Sequence, residues 1–145
     1  SEITDYINVL ENQESLNEYK RNKFISNLTP NALNELKKYN LFDEVYKATH
    51  GAIAIDATDI NTLIGDEKII AYYNDYVDSN YNFESTIVSN DKISNGLVII
   101  ETGSTLSTVD RIITNIKDKF TEIEIIFACS ERSDEKTYLT FIGAK

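Results

Sequence analysis

The sequence has few of the residues that stiffen, crosslink or interrupt a chain. It has no methionine or tryptophan, one proline, one cysteine (Cys129), one histidine (His50) and five glycines among 145 residues. A single cysteine excludes an internal disulfide and is typical of a reducing compartment, so we expect a cytoplasmic location. Because the chain starts at Ser1 and lacks methionine, we expect it to be part of a longer protein.

Positive charge is also scarce. The chain has 14 Lys and Arg residues against 24 Asp and Glu residues, a net charge of −10. This charge repels the phosphates of nucleic acids and anionic lipids, so we expect neither direct nucleic-acid binding nor a membrane partner. No apolar run approaches the roughly 20 residues of a membrane span, and no secretory signal is visible. A hydrophobic content of 41% is enough for one globular core.

The common catalytic and phosphate-binding motifs are missing. The chain contains neither G-x-x-x-x-G-K-[ST] nor G-x-G-x-x-G, and no zinc-ligand spacing or G-x-S-x-G elbow. Thr102-Gly103-Ser104, between a predicted strand and a predicted helix, is the one stretch compatible with an anion site. His50, at the end of a predicted helix, favours a surface or helix-dipole role over catalysis.

Residues 1–49 have a helical pattern. Residues 2–28 are predicted as one helix, or as two with a break near Asn12–Glu14. Thr29 and Pro30 form a cap and first position for another helix, predicted over Asn31–Ala48. Gly51 is predicted to end it in a left-handed conformation. The apolar face at the start of the chain consists of Ile3, Tyr6, Ile7 and Leu10.

Residues 50–145 have an α/β pattern. Strands are predicted over 69–77, 97–100, 123–129 and 137–142, and helices over 60–64, 83–89 and 107–120. Strands connected through a helix favour parallel pairing with a right-handed crossover, and the last two strands are expected to form an antiparallel pair. The predicted fold is therefore α/β: a mixed four-stranded sheet packed with helices and preceded by a helical segment, 1–49.

Two carboxylates, Asp56 and Asp59, follow a short extended run and precede a helix start. Capping of the helix 60–64 by Thr58 or Asp59 accounts for Asp59, but it does not account for Asp56. Two carboxylates can also hold Mg²⁺, although such sites usually include substrate phosphates. These interpretations stay open at the level of the residues alone.

A resemblance to a known family adds to this pattern. The run HGAIAIDATDI, residues 50–60, resembles the loop that follows the long central helix in the FtsZ/tubulin family, typically P-G-L-I-N-x-D-F-A-D-V. Gly96–Gly103 resembles the family's G-x-L-x-x-I-T-G strand and turn, and Phe141–Ala144 stands where the family often has I-A-T-G. The resemblance covers about residues 31–145 and predicts the family's C-terminal half, with 50–145 as its α/β domain.

The resemblance implies a function. The family's monomers stack head to tail in filaments, and the acidic loop of one subunit activates the water that attacks the GTP of the next. By motif position Asp56 and Asp59 would be those catalytic residues. GTP, with Mg²⁺, would be bound by the missing N-terminal half or the neighbouring subunit and not by this chain, whose partners would be identical subunits. Such filaments serve cell division or plasmid and phage DNA segregation.

The chain departs from the family pattern in two ways. Ala54 stands where the family usually has asparagine, which favours a divergent, TubZ-like relative. The glycine-rich GTP loop is absent, so the chain alone is expected neither to bind nor to hydrolyse GTP. The alternatives are a non-enzymatic module of the same fold that caps filaments or binds an adaptor protein, and a metal phosphohydrolase using Asp56 and Asp59.

Overall fold

A computed structural model describes residues 1–103 and 106–145 of the chain. In these residues the elements in chain order are α1 (Glu2–Asn27), α2 (Pro30–Lys38), α3 (Phe42–Ala48), α4 (Ala57–Ile64), β1 (Ile69–Tyr76), β2 (Thr86–Ile87), β3 (Asn95–Thr102), α5 (Leu106–Lys119), β4 (Glu124–Glu131) and β5 (Thr137–Ala144). The α/β class is confirmed.

The strands form one mixed sheet in the order β2-β1-β5-β3-β4. β3 and β4, which are connected through α5, pair in parallel, as predicted. β5 lies antiparallel between β1 and β3. The sheet thus has five strands in the described residues and not the predicted four, because the short β2 adds to the outer edge of β1.

Each face of the sheet carries its own core. On one face, helices α1 to α4 contribute buried side chains such as Leu36, Val45 and Ile60, which pack with Leu97 and Ile99 of β3. On the other face, α5 packs with the alternate residues of the same strand. Because side chains alternate across a strand, β3 is buried on both faces, and its apolar run follows from that position.

The predicted central helix over Asn31–Ala48 is wrong, since two short helices, α2 and α3, occupy this segment. The break is a Schellman motif around Asn40, whose φ is 56°. The amide of Leu41 donates to the carbonyl of Leu36 at 2.9 Å, and the amide of Asn40 donates to Lys37 at 3.2 Å. Asparagine tolerates the left-handed conformation that this helix end requires. By contrast, residues 2–27 form one continuous helix.

The predicted helix over Phe83–Ser89 is also wrong. Phe83 is buried in the core beneath α5, and Thr86–Ile87 pair with β1 as strand β2. The run from Thr86 to Val88 is β-branched, which favours an extended chain. Lys119 and Asn115 of α5 hydrogen-bond to the carbonyls of Phe83 and Tyr81, so the segment is held by side chains rather than by helical bonds.

The predicted antiparallel pair of the last two strands is wrong as well. β4 and β5 do not pair with each other but with opposite edges of β3. β5 is buried along nearly its whole length, whereas β4 is partly exposed. The strand without charged residues occupies the interior of the sheet, whereas β4 has a glutamate at each end, and the loop Arg132–Lys136 crosses the end of β3 to reach β5.

α1 projects from the rest of the chain. Residues 1–20 are all exposed, and α1 is anchored through Phe24 and Leu28, which are 8% and 7% exposed. The apolar residues predicted to line its face, Ile3, Tyr6, Ile7 and Leu10, are between 46% and 73% exposed. In the described part of the chain, no helix combines the length and apolar character that crossing a membrane requires.

Candidate functional site

The loop that leads to the two aspartates is held against the edge of the sheet. Ile53 and Cys129 of β4 exchange backbone hydrogen bonds of 3.0 Å in both directions. A Cβ on Gly51 would lie 2.9 Å from the carbonyl oxygen of Cys129. Gly51 is therefore needed for close approach and not for the predicted left-handed conformation, since no glycine in the described residues has a positive φ. Ile55 is buried and fixes the direction in which the chain enters α4.

Asp56 and Asp59 begin α4 through a capping box. Asp56 Oδ1 accepts from the amide of Asp59, and Asp59 Oδ2 accepts from the amide of Asp56, both at 3.0 Å. Asp56 is the N-cap and Asp59 is the third helical residue, so the helix starts at Ala57, three residues earlier than predicted. The box satisfies two amides at a helix start that otherwise lack partners. Capping thus accounts for both aspartates.

The capping box still leaves carboxylate oxygens at the surface. Asp56 is exposed and Asp59 is half-buried. Within residues 1–103 and 106–145, Asp56 Oδ2 and Asp59 Oδ1 accept no hydrogen bond, and neither side chain forms an ion pair. Because each carboxylate is held by its other oxygen, its orientation is restricted. Two restrained carboxylates, each with one oxygen free to accept, can orient a water molecule or a hydroxyl group of a molecule that docks here.

A second group of charges lies at the carboxyl end of β3, where sequence reasoning predicted none. Glu101, which is 6% exposed, accepts from Lys47 Nζ at 3.0 Å and from Arg132 Nη1 at 3.2 Å. Arg132 also holds Asp134 and the hydroxyl of Tyr76. Three segments, α3, β3 and the loop between β4 and β5, therefore meet on one buried carboxylate.

The charges in this cluster perturb one another. Burial raises the pKa of Glu44, and the neighbouring Glu101 carboxylate raises it further. The hydrogen bond to Glu101 raises the pKa of Lys47, and the hydrogen bond from Arg132 lowers the pKa of Asp134 to about 2. Three acids and two cations are thus coupled at the end of a strand, which is where open α/β sheets often carry their ligands.

The topology explains why this cluster was missed. Arg132 reaches Glu101 because its loop crosses β3, where its amide donates to the Thr102 carbonyl at 3.2 Å. The predicted antiparallel pairing of β4 with β5 would have made this loop a hairpin turn between two neighbouring strands. One signal was present, namely a glutamate directly after the apolar run Leu97–Ile100 of a strand buried on both faces.

The other candidate residues have ordinary surroundings. His50 is exposed and contacts Thr49 Oγ1 at 3.1 Å and the edge of Tyr46. Burial raises the pKa of the Cys129 thiol, which lowers its reactivity. Of the predicted anion site, Ser104 lies outside the described residues. In the described ranges, no three His, Cys, Asp or Glu side chains are arranged to hold a metal ion.

Comparisons with known proteins do not assign this chain to a family. The chain matches no protein-family model, and it matches no curated protein.

Proposed function

We propose that this chain is the C-terminal half of a polymerising, tubulin-like GTPase, in which Asp56 and Asp59 activate GTP hydrolysis on a neighbouring subunit. GTP and Mg²⁺ are bound by a nucleotide-binding half outside these 145 residues. Identical subunits stack head to tail, so that the acidic loop of one subunit faces the γ-phosphate of the next.

The order of elements after the acidic loop is the observation that carries this proposal. The loop leads into α4, then β1, the short β2, β3 with its turn at Gly103, then α5 and the last two strands. Apart from β2, this order agrees with the one that the FtsZ/tubulin resemblance implies, and that agreement supports the proposal. The stretches that carry the resemblance lie at the start of α4 (Asp56–Ile60), in β3 (Gly96–Thr102) and in β5 (Phe141–Ala144).

The geometry of the aspartates supports a role in positioning water. Phosphoryl transfer depends mainly on positioning and electrostatics rather than on covalent chemistry from the protein. The capping box fixes both carboxylates while leaving one oxygen of each without a hydrogen-bond donor in the described residues. Ala54 offers no side-chain amide, so in this chain the two carboxylates alone orient the water. Turnover then requires assembly, because water, carboxylates and triphosphate meet only between subunits.

The test separates catalysis from capping. In the protein whose reading frame contains this chain, we expect Asp56→Asn to retain GTP binding and to lower GTP turnover by about 10²–10⁴, the usual contribution of a positioned acid–base group. Asparagine caps helices as well as aspartate, so the fold is retained. Filaments of the variant are expected to persist longer, because the nucleotide is not consumed.

Asp66→Asn supplies a matched control, since Asp66 is an exposed carboxylate just beyond the other end of α4. It is expected to leave turnover unchanged. Normal turnover in both Asp56→Asn and Asp59→Asn would end the proposal. So would a reading frame that encodes no glycine-rich GTP loop.

The projecting helix α1 favours a second candidate, a non-enzymatic module that caps filaments or binds an adaptor. Residues Ile3, Ile7 and Leu10 lie exposed on one face of α1, and the charged side chains of residues 1–19 are all acidic. Exposed apolar side chains in such a row mark a surface for another protein. This candidate predicts that sub-stoichiometric amounts of the chain slow polymerisation of the related full-length protein.

A further inference from the structure

The first 20 residues of the chain form an arm that projects from the folded body. All of them are exposed, and at 1.5 Å per residue a helix of this length extends roughly 30 Å. Six apolar side chains of the arm are between 45% and 73% exposed, namely Ile3, Tyr6, Ile7, Val9, Leu10 and Leu16. Apolar side chains that are exposed in such a cluster mark a surface for another protein.

These side chains continue the face by which α1 packs into the core. Leu28 is buried in the core, and Leu10 lies about five helical turns before it on the same face. Ile25, which packs against the same core, lies as far beyond Ile7. The opposite face of the arm is polar and consists of Thr4, Asn8, Glu11 and Ser15. The face that is buried at the base of α1 is therefore uncovered along the arm.

Charge is segregated along α1. The charged side chains of residues 1–19 are all acidic, and Glu2 and Asp5 lie in the first turn. Lys20, Arg21 and Lys23 follow at the base. Within the described residues, Lys20 and Lys23 form no ion pair. An antiparallel pair of arms brings the acidic end of each towards the basic base of the other, whereas a parallel pair brings acid against acid.

The apolar face is also complementary to itself in the antiparallel direction. A twofold axis at the level of Asn8 places Leu10 of one arm against Tyr6 of the other, and the same contact occurs a second time by symmetry. Ile7 and Val9 then lie on the two sides of this contact, each near its own symmetry mate. The arms overlap only along their exposed length, so the two bodies lie at opposite ends of the pair.

We propose that a second copy of this chain covers the arm, in a twofold-symmetric dimer whose arms pair in antiparallel orientation. This inference does not depend on the proposed GTPase activity, and it gives the arm an occupant other than the adaptor considered above. Two paired helices bury less surface than a standard protein interface, so the dimer is weak, with a Kd on the order of 10–100 μM.

The test is sedimentation velocity of the 145-residue chain without nucleotide, at concentrations from about 1 to 300 μM. We expect the monomer to convert to a dimer across this range. Leu10→Lys is expected to weaken the dimer about a hundredfold, because it places two unpaired charges in the apolar contact. Asn8→Lys adds the same charge on the polar face and is expected to leave the dimer unchanged. Both positions are exposed in the monomer, so both variants retain the fold.

Charge reversal tests the direction of the arms. Glu2→Lys and Lys20→Glu are each expected to weaken the dimer about two- to fivefold, as exposed ion pairs do. The double variant is expected to recover the affinity of the wild type, because each arm then presents the reversed charges to the other. High salt is expected to reduce these differences.

Disulfide trapping gives a second measure of direction, in a Cys129→Ser background that has no other cysteine. A mixture of the Tyr6→Cys and Leu10→Cys chains is expected to form a mixed disulfide, because these positions meet across the twofold axis. Ile3→Cys is expected to form none, since the two copies of this position lie far apart in an antiparallel pair.

Three results would overturn the proposal. The first is a chain that stays monomeric at every concentration. The second is a dimer that Leu10→Lys leaves intact, which would place the contact elsewhere on the surface. The third is a disulfide between two Ile3→Cys chains, which would show that the arms are parallel. GTP turnover of Asp56→Asn is a separate measurement, so each of these results leaves the proposed function standing.

Discussion

Two pairs of carboxylates in this chain have opposite surroundings. Asp56 and Asp59 lie at the surface, bind each other's backbone and have no cation partner in the described residues. Glu44 and Glu101 lie at the end of β3, where Glu101 is buried and bound by Lys47 and Arg132. The first pair is made by four consecutive residues, and the second requires α3, β3 and the loop between β4 and β5 to meet.

The difference separates two uses of a carboxylate. A buried carboxylate that holds two cations connects elements of the fold, and its lone pairs are already engaged. An exposed carboxylate that caps a helix with one oxygen keeps the other for a partner. This contrast is why the proposed catalytic role belongs to Asp56 and Asp59, although Glu44, Lys47 and Asp134 around the other site have perturbed pKa values of the kind that often mark active sites.

The largest effect on stability is expected at Glu101. Its replacement in Glu101→Ala removes the acceptor on which three segments converge, and we expect a loss of about 2–3 kcal/mol in the free energy of unfolding. Glu101→Gln, which keeps the shape and can still accept one hydrogen bond, is expected to lose less. Urea unfolding measures both variants. If Glu101→Ala is as stable as the wild type, the cluster does not connect the fold and the contrast between the two pairs is lost.

A smaller effect is expected at Asp56. Asp56→Ala removes the N-cap of α4, which typically costs about 1 kcal/mol. Asp56→Asn is expected to be close to the wild type, because asparagine caps equally well. A cost for Asp56→Asn as large as that for Asp56→Ala would show that the negative charge, and not the cap, stabilises this helix start. In that case any loss of turnover in Asp56→Asn would no longer isolate catalysis.

The surface pair was within reach of sequence reasoning because its structure is local. Two aspartates three residues apart, followed by Ile60, Leu63 and Ile64 at helical spacing, define a helix start within a few residues. The prediction nevertheless assigned the cap to Thr58 or Asp59 and left Asp56 without a structural role. Reciprocal capping, in which each aspartate binds the amide of the other, accounts for both.

The buried pair could not be predicted in the same way. Glu101 and Arg132 are 31 residues apart and meet only because the chain returns from β4 across the end of β3. The strands were largely located from their apolar runs, and the parallel pairing of β3 with β4 is confirmed. The position of β5 in the sheet depends on which strand the two cores bury most deeply. The apolar pattern within a single strand does not determine this. Asn40, by contrast, is a local signal for the end of α2. It was overlooked because apolar residues continue at helical spacing beyond it.

The smallest effect is expected at Glu44 and concerns pH. Its pKa in the fold is raised above the ordinary value of 4.5, first by burial and then by Glu101. The stability that protonated Glu44 contributes is therefore fully present below pH 4.5 and is lost as the pH rises through the folded pKa. Glu44→Gln is expected to flatten the dependence of stability on pH between 4.5 and 7, and to be slightly more stable than the wild type at pH 7.

Asp134 provides the contrasting variant, because its pKa is lowered from 3.8 to about 2 by Arg132. The stability that ionised Asp134 contributes is present above pH 3.8 and is lost as the pH falls through about 2. Asp134→Asn is thus expected to change only the acid limb, and the two pH windows do not overlap. Thermal unfolding across pH 2–7 separates them. If Glu44→Gln instead changes the same limb as Asp134→Asn, Glu44 and Glu101 do not repel each other in the fold, and the second pair acts as two independent acids.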